Sequence, residues 1–372
     1  MQKQQQQHAP GAPERDILRL HRAGELVERK SDLIAVDAHA SVWTALAMME
    51  TNRVQCLPVK GAAGHWVTSA SMQQQPNQPE ADLIAIISLA DIGRWLANFT
   101  APPWRSAAEL VAFLHRTQVI EVVGQTPESR TLWTIPAASS IIAALEPLAT
   151  GSHRVLVAWD PATAVLETTP VSPTLPVSSP TSTRSSSSGP TSLRLCSQTD
   201  AVRLIHALRP TFPAINAALQ QSLVSLGLLT DPRIAAIAPR EPAVTAVRSL
   251  ADAAGAYQAM AVVDPATGAL AAQWSWTDVR DPDALVRALT DPAVVVQQLT
   301  SAGGGRDDDQ MVVVPAAEGS HAVSLDDVLE RLVFAHAHRA WIVDSVSGAV
   351  VGIITLTDVL RVVLQVAAED NE

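Results

Sequence analysis

Four times along the chain an apolar run reaches a Ser or Thr, an Asp follows three residues on, and a pattern of helical period begins. The four stretches are "DLIAIISLADIGRWL" with Ser88 and Asp91, "SLRLCSQTDAVRLIHAL" with Ser197 and Asp200, "GALAAQWSWTDVRD" with Ser275 and Asp278, and "VVGIITLTDVLRVVL" with Thr355 and Asp358. Continuous Val/Ile/Leu/Ala runs bounded in this way predict strands, and the 3–4 spacing after them predicts helices. A second landmark precedes each seam, an alternating apolar strand that begins "QCLPV" at Gln55, "HRVLVAWD" at His153, "QAMAVVD" at Gln258 and "HRAWIVD" at His338. One more helix lies upstream of it. "SVWTALAMMETN" puts Val42, Ala45, Leu46 and Met49 on one face, and "SLDDVLERLVFAHA" does the same with Leu325, Val328, Leu329 and Leu332. The unit order is therefore short strand, helix, strand, strand, helix.

Spacing makes these units a repeat. The seams lie 109, 78 and 80 residues apart, and landmark and seam are separated by 17 residues in both the third and the fourth unit. The same separation is 33 residues in the first unit and 44 in the second. The excess falls where composition turns polar, about residues 62–81 ("GHWVTSASMQQQPNQPE") and 163–191 ("TTPVSPTLPVSSPTSTRSSSSGPTS"). Such tracts carry too little apolar surface to offset the entropy of ordering, and they are expected to be disordered insertions. The expected organisation is a disordered N-terminus at 1–15, repeat one at 16–102, repeat two at 103–222, repeat three at 223–300 and repeat four at 301–372. A lone unit of this size, with one sheet face uncovered, would be marginal, so units are expected to pair.

Composition adds constraints. At 47% hydrophobic, 4% aromatic and 17% charged residues, the core must be aliphatic. With 26 basic against 37 acidic residues the chain carries a formal charge of −11, which argues against nucleic acid as a partner. Two cysteines, Cys56 and Cys196, cannot build a disulfide framework and suggest a reducing compartment, cytoplasmic or nuclear. No apolar run approaches a membrane span, so no membrane association is expected. The sequence holds no His-Glu-x-x-His, no nucleophile elbow and no Walker-type glycine loop, so no catalytic or metal-binding residues are assigned and no enzyme is expected.

A hydroxyl with an acid three positions on is the signature of a helix capping box, and Ser324 with Asp327 in "SLDD" is an instance with no ligand implied. The four seams add position. Each acid stands at the carboxyl end of a strand where a helix begins, a place where unpaired N–H groups and the helix dipole gather and where α/β sheets bind ligands.

The unit order and the seam resemble the cystathionine-β-synthase (CBS) domain. Four in tandem resemble the γ subunit of the AMP-activated and SNF1-related protein kinases, plant γ-like proteins in particular. The likeness runs over roughly residues 31–366 and is closest in "HRAWIVDSVSGAVVGIITLTDVLRVV". It implies an α/β fold of four tandem CBS repeats (β-α-β-β-α) that pair into two Bateman modules, first with second and third with fourth, with clefts for adenine nucleotides. It also implies ribose contacts from Asp91, Asp200, Asp278 and Asp358 beside Ser88, Ser197, Ser275 and Thr355. Phosphate contacts are implied from His153–Arg154 and His338–Arg339, where Arg offers a fork of donors suited to phosphate oxygens. The matching positions of repeats one and three are Gln55–Cys56 and Gln258–Ala259, which carry no charge. Trp276, inside the third motif, is expected to narrow that cleft.

The expected function is a non-catalytic, energy-sensing γ-type subunit that requires no cofactor, takes AMP, ADP or ATP as regulatory ligand, and has kinase α and β subunits as partners. The alternative is an interaction scaffold, or a sensor of another adenosyl ligand, not tied to a kinase. The glutamine tract near the start and the "RDDD" run at Arg306–Asp309 are read as low complexity and as a solvated loop.

Overall fold

The computed structural model describes residues 18, 20–31, 33–61, 83–99, 104–159, 192–229, 234–252, 258–302, 310–316 and 323–369. The N-terminal tract, both polar insertions and the "RDDD" run lie outside the described residues. Among the described residues four three-stranded sheets form, one per unit, each with its strands in chain order. The first unit runs β1 (Val36–Asp37), α1 (Val42–Thr51), β2 (Cys56–Lys60), β3 (Leu83–Ser88) and α2 (Leu89–Ala97). A connector follows, with α3 (Ala107–Arg116) and the short α4 (Pro127–Arg130). The second unit comprises β4 (Thr134–Pro136), α5 (Ile142–Ala149), β5 (Arg154–Trp159), β6 (Ser192–Ser197) and α6 (Gln198–Leu208), with α7 (Pro213–Leu219) after it. The third comprises β7 (Ala236–Ile237), α8 (Ala243–Asp252), β8 (Ala259–Val263) and β9 (Leu270–Ser275), then α9 (Pro282–Thr290) and α10 (Val296–Ala302). The fourth comprises β10 (Val312–Ala316), α11 (Leu325–Phe334), β11 (Arg339–Asp344), β12 (Val350–Thr355) and α12 (Leu356–Glu369).

The first strand of every unit pairs parallel with the second, and the second antiparallel with the third. At the seam end the register of the second and third strands is the same in all four units. Cys56 pairs with Ser88, Arg154 with Ser197, Ala259 with Ser275 and Arg339 with Thr355. The basic arginines thus stand directly across from a seam hydroxyl, 4.5–5.5 Å being usual between such Cβ atoms.

The middle strands are buried on both faces, which is why they read as continuous apolar runs. One face packs on helices. Units one and three share one apolar cluster, in which Leu46, Ile87 and Ile92 meet Val247, Trp274 and Leu285. Units two and four share another, in which Val155, Ile205 and Phe212 meet Leu329, Ile342 and Leu360. Ion pairs cross at both joints: Arg280 Nε donates to Glu50 at 2.9 Å, and Arg209 binds Asp326 and, at 2.7 Å, Glu330. At the first joint Gly93 of α2 lies under the Trp276 ring, and a Cβ at that position would overlap it. The opposite sheet faces join consecutive units. Ala259, Ala261 and Trp341 form a third cluster between units three and four, and Trp341 Nε1 donates to Gln273 at 3.1 Å. Cys56, Ile86 and Leu156 are buried outside the helix-side clusters, on strands of units one and two. The result is two modules in the expected order, first with second and third with fourth, joined to each other through the two helix-side clusters.

Two details depart from the sequence reading. The connectors cross the repeat boundaries: the segment from Leu18 to Val27 packs in the cluster of units two and four, whereas Leu110 and Leu114 of α3 pack with units one and three. Backbone bonds fix both exchanges, Ala23 N–H to Ser139 and Val42 N–H to Thr117. The third seam opens into a short 3-10 turn, Trp276–Val279, in place of a long helix. Asp281 caps a fresh helix and Pro282 occupies its first turn, which ends the earlier one.

Candidate functional site

The four seams converge on one cavity of about 460 Å³ at the centre of the four units. Ser88, Ser197, Ser275 and Thr355 all line it, together with His153, Arg154, His338, Arg339 and Asp358. Asp91, Asp200 and Asp278 lie behind this wall and do not line it. Gln55 and Gln258, the uncharged counterparts of the two histidines, are on the surface of the same cavity. Gln198 ties it together by donating to the Thr357 hydroxyl of unit four at 2.7 Å.

Each seam is a capping arrangement in which one carboxylate oxygen accepts the backbone N–H three residues earlier, at 2.9 Å in Asp91 and 2.7 Å in Asp200 and Asp278. In Asp358 the distance is 2.8 Å. Hydroxyls add bonds of 2.5 Å from Ser88, 2.6 Å from Ser197 and 2.6 Å from Thr355. Capping therefore occupies one oxygen per acid, and the surroundings of the other differ. Asp358 Oδ1 lies 3.7 Å from the exposed guanidinium of Arg361. Asp200 accepts a third bond on its capping oxygen, from Lys30 Nζ at 2.5 Å. Asp91 is fully buried, and its Oδ1 accepts Thr126 N–H at 2.8 Å and Ser129 Oγ at 2.6 Å. Both of its oxygens are taken by the chain itself, and burial pushes its pKa up despite these donors.

The basic pairs share a register position and differ in company. His153 donates its backbone N–H to Glu128 at 3.1 Å, its ring Nδ1 lies 3.0 Å from the same carboxylate, and Arg154 reaches both oxygens at 3.4 and 3.5 Å. Burial would raise the Glu128 pKa, but Arg154 and His153 outweigh it and hold the group down to about 2. Arg339, at 7% exposure, lines the cavity from a largely buried position. Trp276, 4% exposed, lines the cavity on the third unit's side. Cys56 is buried between these charges and its thiol is pushed up to about 11, so it is an inert apolar residue. Glu128, Thr126, Ser129 and Lys30 were not foreseen. Thr126 and Ser129 carry only a local capping signal, and nothing local marks Glu128 or Lys30.

Among the described residues no cluster of His, Cys, Asp and Glu could hold a metal ion, and no helix is long and apolar enough to cross a membrane.

Residues 320–365 match the model of the CBS domain. The fold is four tandem CBS units. A solved protein of Methanocaldococcus jannaschii, named as a candidate archaeal homolog of g-AMPK, superimposes with a TM-score of 0.56 over 91% of this chain and 99% of its own, at 16% identity. Two Arabidopsis thaliana proteins named SNF1-related protein kinase regulatory subunit gamma-like, PV42b and PV42a, are similar in sequence. They are 26% identical over 141 residues and 24% identical over 140 residues, or 37% and 36% of this chain. The matched region spans 38% of the length of each of these relatives. The CBS units thus carry a γ-like resemblance that the seams and basic pairs had suggested.

Proposed function

We propose that this protein is a non-catalytic regulatory subunit of γ type that binds an adenine nucleotide at the central cavity. The observation that carries the reading is the convergence of both basic pairs, all four seam hydroxyls and the Asp358 carboxylate on one hollow of about 460 Å³. A polyanion and a sugar diol need opposite partners at a short distance. Arg339 and His338 supply donors, and Asp358 supplies an acceptor on the same wall. AMP, ADP and ATP would compete there, and the favoured state would alter the surface offered to kinase α and β subunits. The names of the Arabidopsis relatives support the kinase; copurification of the tagged chain with a kinase catalytic subunit tests it.

Titration calorimetry with AMP tests the site. Arg339→Ala should cost roughly 1.5–3 kcal/mol of binding, about 10- to 150-fold in Kd. Asp358→Ala should weaken ribose-bearing ligands and leave pyrophosphate binding unchanged. Equal AMP affinity in wild type and Asp358→Ala would remove the ribose role.

The scaffold reading has one observation in its favour, the internal satisfaction of Asp91 and of the first basic pair. A ligand at about one hundred times its Kd stabilises the folded state by roughly 2.7 kcal/mol. The absence of any thermal shift with AMP, ADP, ATP, NAD(H) or S-adenosylmethionine would favour the scaffold.

A further inference from the structure

We propose that the connector segment Thr126-Pro127-Glu128-Ser129 is a built-in occupant of the first module's cleft, which leaves the second module to take the diffusible ligand. The proposal rests on the nucleotide reading above and adds which sites are closed and by what.

The four residues present, in order, the groups a nucleotide would bring. Asp91 uses Oδ2 for its own cap, as the other three seams do. Its Oδ1 accepts two donors side by side, the Thr126 amide and the Ser129 hydroxyl. Two hydrogen-bond donors on one carboxylate oxygen reproduce what a vicinal diol would offer. Between them Glu128 sends an anionic group to the opposite wall, where His153 and Arg154 bind it through four contacts of 3.0–3.5 Å. Glu128 is only 10% exposed, and a carboxylate so buried is tolerated because the pair neutralises it. Thr126, Pro127 and Glu128 all reach the central cavity, so the occupant enters the space a ligand would need.

The segment is held from within, its Thr126 hydroxyl accepting the Ser129 amide at 3.2 Å, and therefore offers its groups with little further ordering. The module's other acid also meets a group from outside its own unit, Lys30 of the segment that precedes β1, which binds the capping oxygen of Asp200. Both contacts come from chain outside the repeats proper. In the second module Arg339, the counterpart of Arg154, and Asp358, the counterpart of Asp200, reach the same cavity.

Thermal unfolding of the full chain, with ATP, AMP or pyrophosphate at millimolar concentration, tests this. Glu128→Gln keeps the shape and removes the anion. It should lower Tm by several degrees, and pyrophosphate or ATP should restore part of the loss. Adding Arg154→Met should abolish that restoration. An unchanged Tm, or a loss that neither ligand repairs, overturns the proposal and makes Glu128 a structural residue only. Should Glu128→Gln fail to fold, Ser129→Ala removes one donor from Asp91; its ATP-induced shift should exceed that of the wild type, and an equal shift overturns the proposal. A wild-type shift that survives Asp358→Ala but vanishes in Arg154→Ala overturns it too. If wild type shows no shift while Glu128→Gln is rescued, the nucleotide reading of the second module fails and the occupant stands. If the wild-type shift depends on Asp358 and no rescue occurs, the reverse holds.

Discussion

The two basic pairs form a controlled comparison within one chain. Arg154 and Arg339 occupy the same register position, each opposite a seam hydroxyl, each preceded by His. Both line the central cavity; Arg154 also binds the carboxylate of Glu128, supplied by the connector before β4, and Arg339 shares the wall with Asp358. The repeat itself is the same in both units, so the difference comes from the connectors that thread between units. A repeated motif fixes where a group stands; the chain around it decides whether that group can meet a ligand.

The widest gap between the two pairs should appear on Arg154→Met. It leaves Glu128 buried without its main counter-charge, a situation that typically costs 3–5 kcal/mol. Urea denaturation should show that loss, and a change under 1 kcal/mol would mean the pair is solvated and the comparison false. Acid sharpens the same point. Because the folded-state pKa of Glu128 is lowered from 4.5 to about 2, its stabilisation is present above pH 4.5 and disappears as pH falls towards 2. The loss should amount to about 3 kcal/mol. Asp91, pushed upward, works in the opposite sense, so the quantity to measure is wild type minus Glu128→Gln across that window. Equal slopes would remove the charge pairing. Gly93→Ala probes the joint that holds the modules together. Its Cβ would meet the Trp276 ring and should cost about 1–3 kcal/mol of stability by overpacking, with Trp fluorescence reporting the displaced ring.

The elements repeated in every unit were legible because their signals are local. The strand-to-helix seams, the buried faces of α1 and α11 and the capping at Ser324 all follow from periodicity and from residue types three or four apart. The break after the third seam was legible too, since Asp281 before Pro282 is a helix-start signal that the strength of the repeat obscured. The company of each acid was not legible. Glu128 lies 37 residues from Asp91 in the chain and Lys30 lies 170 residues from Asp200, and neither residue type nor sequence neighbourhood sets them apart from charges that stay on the surface. The exchange of connectors between units was hidden for a related reason. An amphipathic helix such as α3 declares that it has a partner without saying which sheet it covers.

The hairpins carry one more lesson. In units three and four β8–β9 and β11–β12 close through tight turns with Gly268 and Gly348 at φ of +72° and +69°. In units one and two the long polar tracts leave and rejoin at Lys60 and Leu83 and at Trp159 and Ser192, which are ladder neighbours. A tract whose two ends already touch can be lengthened, cut out or exchanged with little entropic penalty, because closing a loop grows only slowly dearer with its length. Grafting the short "DPATG" turn of unit three into either place should therefore yield a trimmed protein with its centre intact, and those two corners are where evolution, or an engineer, can append cargo.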